Sequence, residues 1–171
     1  MMVITADAEQ LSAVLGVLSG SGVQYMVLGN GTNILVKDSG YDGVIVKIGS
    51  GFDYVRQEGC RLVCGSGTGM SVAAKAALEG GLSGFEFASG IPGFTGGAVF
   101  MNAGAYGGEM KDVLVSVTYL TREGEIVTED AANLDLSYRH SIFEENGGCI
   151  LNAKFHLKRG DSAAIKARMD E

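Results

Sequence analysis

Tryptophan is absent from these 171 residues, proline occurs once, at Pro92, and histidine twice, at His140 and His156. The three cysteines, Cys60, Cys64 and Cys149, are an odd number without a signal peptide, which points to reduced cytosolic thiols. Cys60 and Cys64 lie four apart on an expected strand and share one side. With so few histidines near them they are expected to pack, and no metal site is expected. Basic residues are outnumbered, 13 against 20, for a net charge of −7. That excludes a nucleic-acid surface, which needs a cationic face, but leaves room for an anionic cofactor held by backbone N–H groups. The opening MMVITADAEQ has neither a basic stretch nor an apolar core, so it is expected to be mature sequence. The run Phe87–Gly108 carries no charge, yet its glycines, Pro92 and its Ser, Thr and Asn residues are incompatible with a stable spanning helix. A soluble protein without a membrane partner is expected. No internal repeat or low-complexity segment is present.

What is abundant is glycine, 27 residues, within a chain that is 46% hydrophobic and so composed like a folded protein. Seven of the glycines fall in Ser89–Gly108, SGIPGFTGGAVFMNAGAYGG. Such density weakens a fold unless the chain needs tight turns, or bare backbone that a ligand approaches closely. The segment points to a cofactor site.

The pattern of apolar residues predicts two lobes. Asp7 is a helix N-cap with Gln10 as its capping-box partner, and Leu11, Val14, Leu15 and Leu18 mark a helix over Ala8–Leu18 ended by Gly20–Gly22. Strands are expected at Tyr25–Leu28, in the apolar piece Ile34–Val36, and at Gly43–Ile48. The second lobe begins with strands Phe52–Glu58 and Arg61–Cys64 around Gly59, then a helix over Met70–Glu79 closed by Gly80 and Gly81. Val113–Thr121 and Glu125–Thr128 form a hairpin across Gly124. In Ile150–Lys158, Leu151, Ala153, Phe155 and Leu157 alternate with polar residues, the signature of a half-buried strand. Asp161–Glu171 starts a charged helix. The expected division is residues 1–50 as a first lobe, incomplete at its N-terminus, 51–160 as a second lobe, and 161–171 as the start of an interdomain helix that is cut short.

Three glycine-rich loops stand at 29–33, 65–69 and 90–108. Gly65-Ser66-Gly67-Thr68-Gly69, between a strand and a helix, is spaced GxGxG rather than GxGxxG, and no acidic residue at a strand end follows it. None of the loops has a lysine in the P-loop position, which excludes a Walker site. In Gly29-Asn30-Gly31-Thr32-Asn33 the glycines let successive N–H groups converge into an anion nest, to which the short polar side chains contribute; a pyrophosphate suits it, and so does an ordinary capped turn. Tyr138-Arg139-His140-Ser141 is the other cluster with chemical potential, Arg139 offering a planar fork for a carboxylate or phosphate. Ser141 has no His/Asp partner set for nucleophilic catalysis, and no pair of carboxylates stands out. Nucleotide, flavin and plain turn remain open at this level.

In order, LGNGTNILVKD, GSGTGMSVAAKAALEGGLSGFEFASGIPGFTGGAVFMNAGAYGGE and SYRHSIF closely resemble the UDP-N-acetylenolpyruvoylglucosamine reductase family of bacterial peptidoglycan synthesis, in its second type, over about Val27–Leu157. The resemblance implies an α+β fold of the vanillyl-alcohol-oxidase type, with FAD between two lobes and the C-terminal substrate domain absent. It implies that Asn30, Gly31, Thr32 and Asn33 hold the FAD pyrophosphate. Gly90, Ile91, Pro92, Gly93, Gly96 and Gly97 would line the flavin and phosphate side, and Asn102, Gly104, Ala105 and Tyr106 would continue that wall. The implied reaction is cytoplasmic: NADPH reduces FAD, and the reduced flavin passes hydride to the enolpyruvyl group of a UDP-sugar. Arg139 would stabilise the charge that develops on the substrate carboxylate, and Tyr138 would line the substrate pocket. The serine that donates the proton and the glutamate that completes the site would belong to the absent domain, so this chain would bind FAD without completing the cycle alone. A non-catalytic flavin or nucleotide module, or another FAD oxidoreductase of the same superfamily, are the alternatives.

Overall fold

The structure, a computed structural model, describes all 171 residues. Its first element group is a three-stranded parallel sheet, β1 (Met2–Thr5), β2 (Tyr25–Leu28) and β3 (Val44–Ile48), in the order β1-β3-β2, with α1 (Ala8–Ser21) as the crossover. Asp7 caps α1 by accepting the Gln10 N–H at 2.9 Å. The return bond differs from a capping box, because Gln10 Oε1 accepts from Ala6 N, one residue earlier, at 3.0 Å. The helix runs through Gly20 to Ser21, beyond the Leu18 predicted by spacing. It ends at Gly22, whose φ of 67° is the left-handed cap glycine tolerates best. Leu11 and Leu15 from α1 bury against Val44, Val46 and Ile48, the inward face of β3. The apolar piece Ile34–Val36 forms no strand, and Leu35 is 99% exposed. Apolarity alone makes no ladder, and both flanks of β3 are already taken by β1 and β2.

The second sheet has five strands in the order β10-β9-β11-β5-β4, antiparallel throughout. They are β4 (Val55–Glu58), β5 (Arg61–Gly65), β9 (Leu114–Leu120), β10 (Ile126–Asp130) and the central β11 (Cys149–His156). β4 begins later than Phe52 because Ser50–Phe52 is a 3₁₀ turn that buries the Phe52 ring in the small-lobe core. Gly59 and Gly124, both at positive φ, turn the two hairpins. α2 (Met70–Glu79) lays Ala73, Ala74 and Ala77 in the larger core, which also holds Leu62, Cys64, Val117, Ala153 and Phe155. Those small side chains let the helix approach closely. Phe85 packs its ring 4.9 Å from Phe155 and 5.8 Å from Phe87. A two-residue pair, β6 (Leu82–Ser83) with β12 (Lys158–Arg159), precedes α5 (Ser162–Met169), which Asp161 caps at Ala164 N and which buries Ile165.

β11 departs from the predicted alternation. Ile150 pairs with Tyr119 but Asn152 pairs with Thr118, so Leu151 is an extra residue, a β-bulge. Cys149 and Leu151 therefore join Leu120 in the small-lobe core, while Ala153 and Phe155 face the larger one.

The glycine-rich run is more regular than its composition suggests. It contains α3 (Thr95–Phe100) and a hairpin of β7 (Gly104–Ala105) with β8 (Gly108–Glu109), turned by Tyr106 and Gly107 at φ 49° and 80°. Two positive φ values in a two-residue loop match the twist of the paired strands. A last short helix, α4 (Phe143–Asn146), leads into β11.

Candidate functional site

Between the small sheet and α3 lies a cleft of about 1280 Å³, above the roughly 300–1,000 Å³ typical of drug-sized ligand sites. β2 lines one wall, loop 29–33 one end, and the segments 90–94 and 96–98 the facing wall. That second wall is held in place by the 65–69 loop, which acts as a clip. Met70 N donates to Gly93 O (3.0 Å), Thr95 N to Thr68 O (2.8 Å) and Gly96 N to Ser66 O (2.9 Å), and the Thr95 hydroxyl adds a buried bond to Thr68 O at 3.0 Å. The near-miss nucleotide motif thus supports the wall from behind. Across the cleft, Thr32 Oγ1 donates to Pro92 O at 3.1 Å, tying the two glycine loops together. Gly93, at φ 121°, sits where a Cβ would come within 2.8 Å of that hydroxyl, so only glycine fits.

The cleft brings together Asn30, Gly31, Thr32, Asn33, Gly90, Ile91, Pro92, Gly93, Gly96, Gly97, Gly104, Ala105, Tyr106 and Arg139. Asn102 is not among its linings. Its side chain is buried and spent on the protein: Nδ2 donates to Ser137 O (3.0 Å) and Glu109 Oε2 (2.6 Å), and Oδ1 accepts from Lys111 N (2.9 Å). Tyr138 also lies outside the lining and is 89% exposed, at the tip of the tight turn that presents Arg139. Ser137 and His140 bridge across that turn, and Arg139 adopts φ 57°. Ser141, fully buried, donates its hydroxyl to Phe100 O at 2.6 Å, so it anchors the turn to the end of α3.

Electrostatically the cleft is one-sided. Its only charged lining residues are Arg122 and Arg139, with no carboxylate, in a chain of net charge −7. Neither arginine makes an ion pair. Arg122, which sequence reasoning passed over, lies against Gly147 at the end of the cleft near Cys149. Lys47 is a second missed cation; its Nζ donates to Gly29 O at 2.9 Å, at the start of loop 29–33, and stands 5.9 Å from the Phe94 ring centre. Its strand position carries no motif, so only the tertiary fold reveals it. His140 lies 3.3 Å from both Glu144 and Asp135 through its two ring nitrogens. These bonds, Glu144 foremost, raise its pKa above the ordinary 6.5. Burial pushes the Cys149 thiol up to about 12, so that lining group is a neutral, unreactive surface. No group of histidine, cysteine and carboxylate side chains could hold a metal.

A family described as FAD binding domain matches residues 1–130. The chain belongs to this FAD-binding family. It is similar to the UDP-N-acetylenolpyruvoylglucosamine reductase of Clostridium novyi, 45% identical over 95% of this chain and 53% of the relative. The enzyme of the same name from Clostridioides difficile is 43% identical over 95% of this chain and 54% of its own length. Among solved structures, UDP-N-acetylenolpyruvylglucosamine reductase (MurB) from Thermus caldophilus superposes with a TM-score of 0.85 at 31% identity, covering 99% of this chain and 59% of that one. The chain thus spans about half the length of the curated relatives it matches. The α+β architecture is that of an FAD-binding region.

The residues fit that cofactor. No atom lies within 4 Å of where a Gly97 Cβ would stand, so a side chain there would project into space the cleft keeps open. A cleft whose only charges are two arginines without ion pairs suits an anionic cofactor, and the apolar lining (Ile48, Ile91, Phe94) suits flat rings. No helix is long and apolar enough to cross a membrane.

Proposed function

We propose that the chain is the FAD-binding part of a cytoplasmic enzyme that uses NADPH to reduce UDP-N-acetylglucosamine enolpyruvate to UDP-N-acetylmuramate in peptidoglycan synthesis. The observation that carries this reading is the glycine-walled cleft whose only charges are two arginines, in a member of the FAD-binding family. FAD, when bound, supplies the hydride chemistry.

The chain's own residues divide the remaining work. Asn30, Gly31, Thr32 and Asn33 bind the pyrophosphate, with Lys47 holding the loop through the Gly29 carbonyl. Gly90, Ile91, Pro92, Gly93, Gly96 and Gly97, with Gly104, Ala105 and Tyr106, let the cofactor lie against backbone. Arg139 holds a fixed positive charge where the substrate carboxylate gains negative charge, and Tyr138, exposed beside it and outside the cleft lining, meets the substrate. Asn102 supports the site from within, its side chain holding the wall and the Arg139 turn together.

The test begins with colour. Purified protein should be yellow and release FAD on denaturation; a colourless preparation that ignores added FAD refutes the proposal. In the full-length enzyme, Arg139→Ala should keep FAD and slow substrate reduction about 100-fold or more. Equal loss of FAD would make Arg139 structural instead.

A further inference from the structure

Ser66 Oγ is the one buried side-chain polar atom in the molecule without a hydrogen-bond partner. The residue is 3% exposed and lines the cleft. Its backbone is fully committed: Ser66 N donates to Leu151 O at 2.9 Å, and Ser66 O accepts from Gly96 N at 2.9 Å. Ser66 packs closely against Gly96, where an added Cβ would come within 2.8 Å of Ser66 Cβ. The other hydroxyls of the same clip are satisfied. Thr68 Oγ1 donates to Tyr54 O at 2.9 Å and accepts from Tyr54 N at 3.0 Å, while Thr95 Oγ1 donates to Thr68 O. Buried hydroxyls are almost always paired, so an orphan on a residue that lines a ligand cleft points to a partner outside the protein.

A hydroxyl donates best to an oxygen. Ser66 lines the cleft beside Gly96, on the wall that Pro92 joins to Thr32 of loop 29–33. The cofactor there offers oxygens on its ribityl chain and its pyrophosphate. We propose that Ser66 is a further cofactor-binding residue, its Oγ donating a hydrogen bond to an oxygen of the ribityl–pyrophosphate linker of FAD. This rests on the FAD reading above.

The experiment compares FAD affinity, by quenching of flavin fluorescence on titration, with the urea stability of the cofactor-free protein. Ser66→Ala should weaken FAD about tenfold, the size of one lost hydrogen bond, and leave the cofactor-free protein as stable or more stable. Ser66→Cys, equal in shape but a poor donor, should weaken FAD as well and serves if the alanine variant misfolds. Unchanged affinity in both variants overturns the assignment while the FAD reading stands. Affinity lost together with cofactor-free stability overturns it too, making Ser66 a structural strut. Failure of the unmodified protein to bind FAD removes both.

Discussion

Asn102→Ala tests whether the buried asparagine is a strut of the cofactor wall or a contact with the cofactor. Its side chain joins three pieces of chain: the end of α3, the start of the 3₁₀ turn at Met110, and the turn bearing Tyr138 and Arg139. Alanine abolishes the bonds to Ser137 O and Lys111 N, at about 1 kcal/mol each. Asn102 also sits at φ 41°, which asparagine tolerates and alanine does not, adding about 1 kcal/mol. On these terms alone the variant loses about 3 kcal/mol, a large share of the 5–15 kcal/mol that holds a domain together. With a urea slope of about 2 kcal/mol per molar, the unfolding midpoint should fall by about 1.5 M. Asn102→Gly keeps the backbone conformation and should recover about 1 kcal/mol of that loss. Urea denaturation followed by circular dichroism, alongside flavin titration, reads both quantities. An Asn102→Ala protein with an unchanged midpoint and lost FAD affinity would refute the strut and make Asn102 a cofactor ligand.

Gly97→Val should leave folding intact, since no atom lies within 4 Å of the new Cβ. It should weaken FAD at least about 100-fold by occupying the cleft; flavin titration decides, and undiminished binding would place the cofactor elsewhere. For His140, a folded pKa above 6.5 means its stabilising pairs with Glu144 and Asp135 are fully formed below the unfolded pKa and are lost as pH rises through the folded value. An NMR titration should show the midpoint above 6.5, and the stability gap between the protein and His140→Gln should shrink from about pH 6 upward. A gap that widens with pH would refute the pairing.

Much of this architecture was legible because local rules and tertiary demands agree. The Asp7 cap, the Met70–Glu79 helix and the hairpins at Gly59 and Gly124 each follow from a few neighbouring residues. The features that were not legible share a cause. Leu151 enters the other core because a bulge shifts its register, and no residue type announces a bulge. The resemblance places Asn102 on the cofactor wall, and no local pattern shows that its side chain bonds Ser137, 35 residues away. Ser66 reaches the cleft beside Gly96 of α3, and Arg122 beside Gly147, neighbours that only the tertiary fold supplies. Glycine loops and an Arg139 turn announce a site; which polar atoms are spent inside the protein and which stay free is fixed only by the fold.

The bulge at Leu151 has a mechanical meaning. One continuous strand supplies Cys149 and Leu151 to the small core and Ala153 and Phe155 to the large one. The faces that flank the cleft are therefore joined at its Cys149 end by a shared piece of β-sheet, like a book bound along one edge. At the opposite edge the faces meet where Thr32 donates to the Pro92 carbonyl through one exposed hydrogen bond, and where Lys47 stands over the Phe94 ring. One bulged residue thus lets a single strand serve as the spine of both covers.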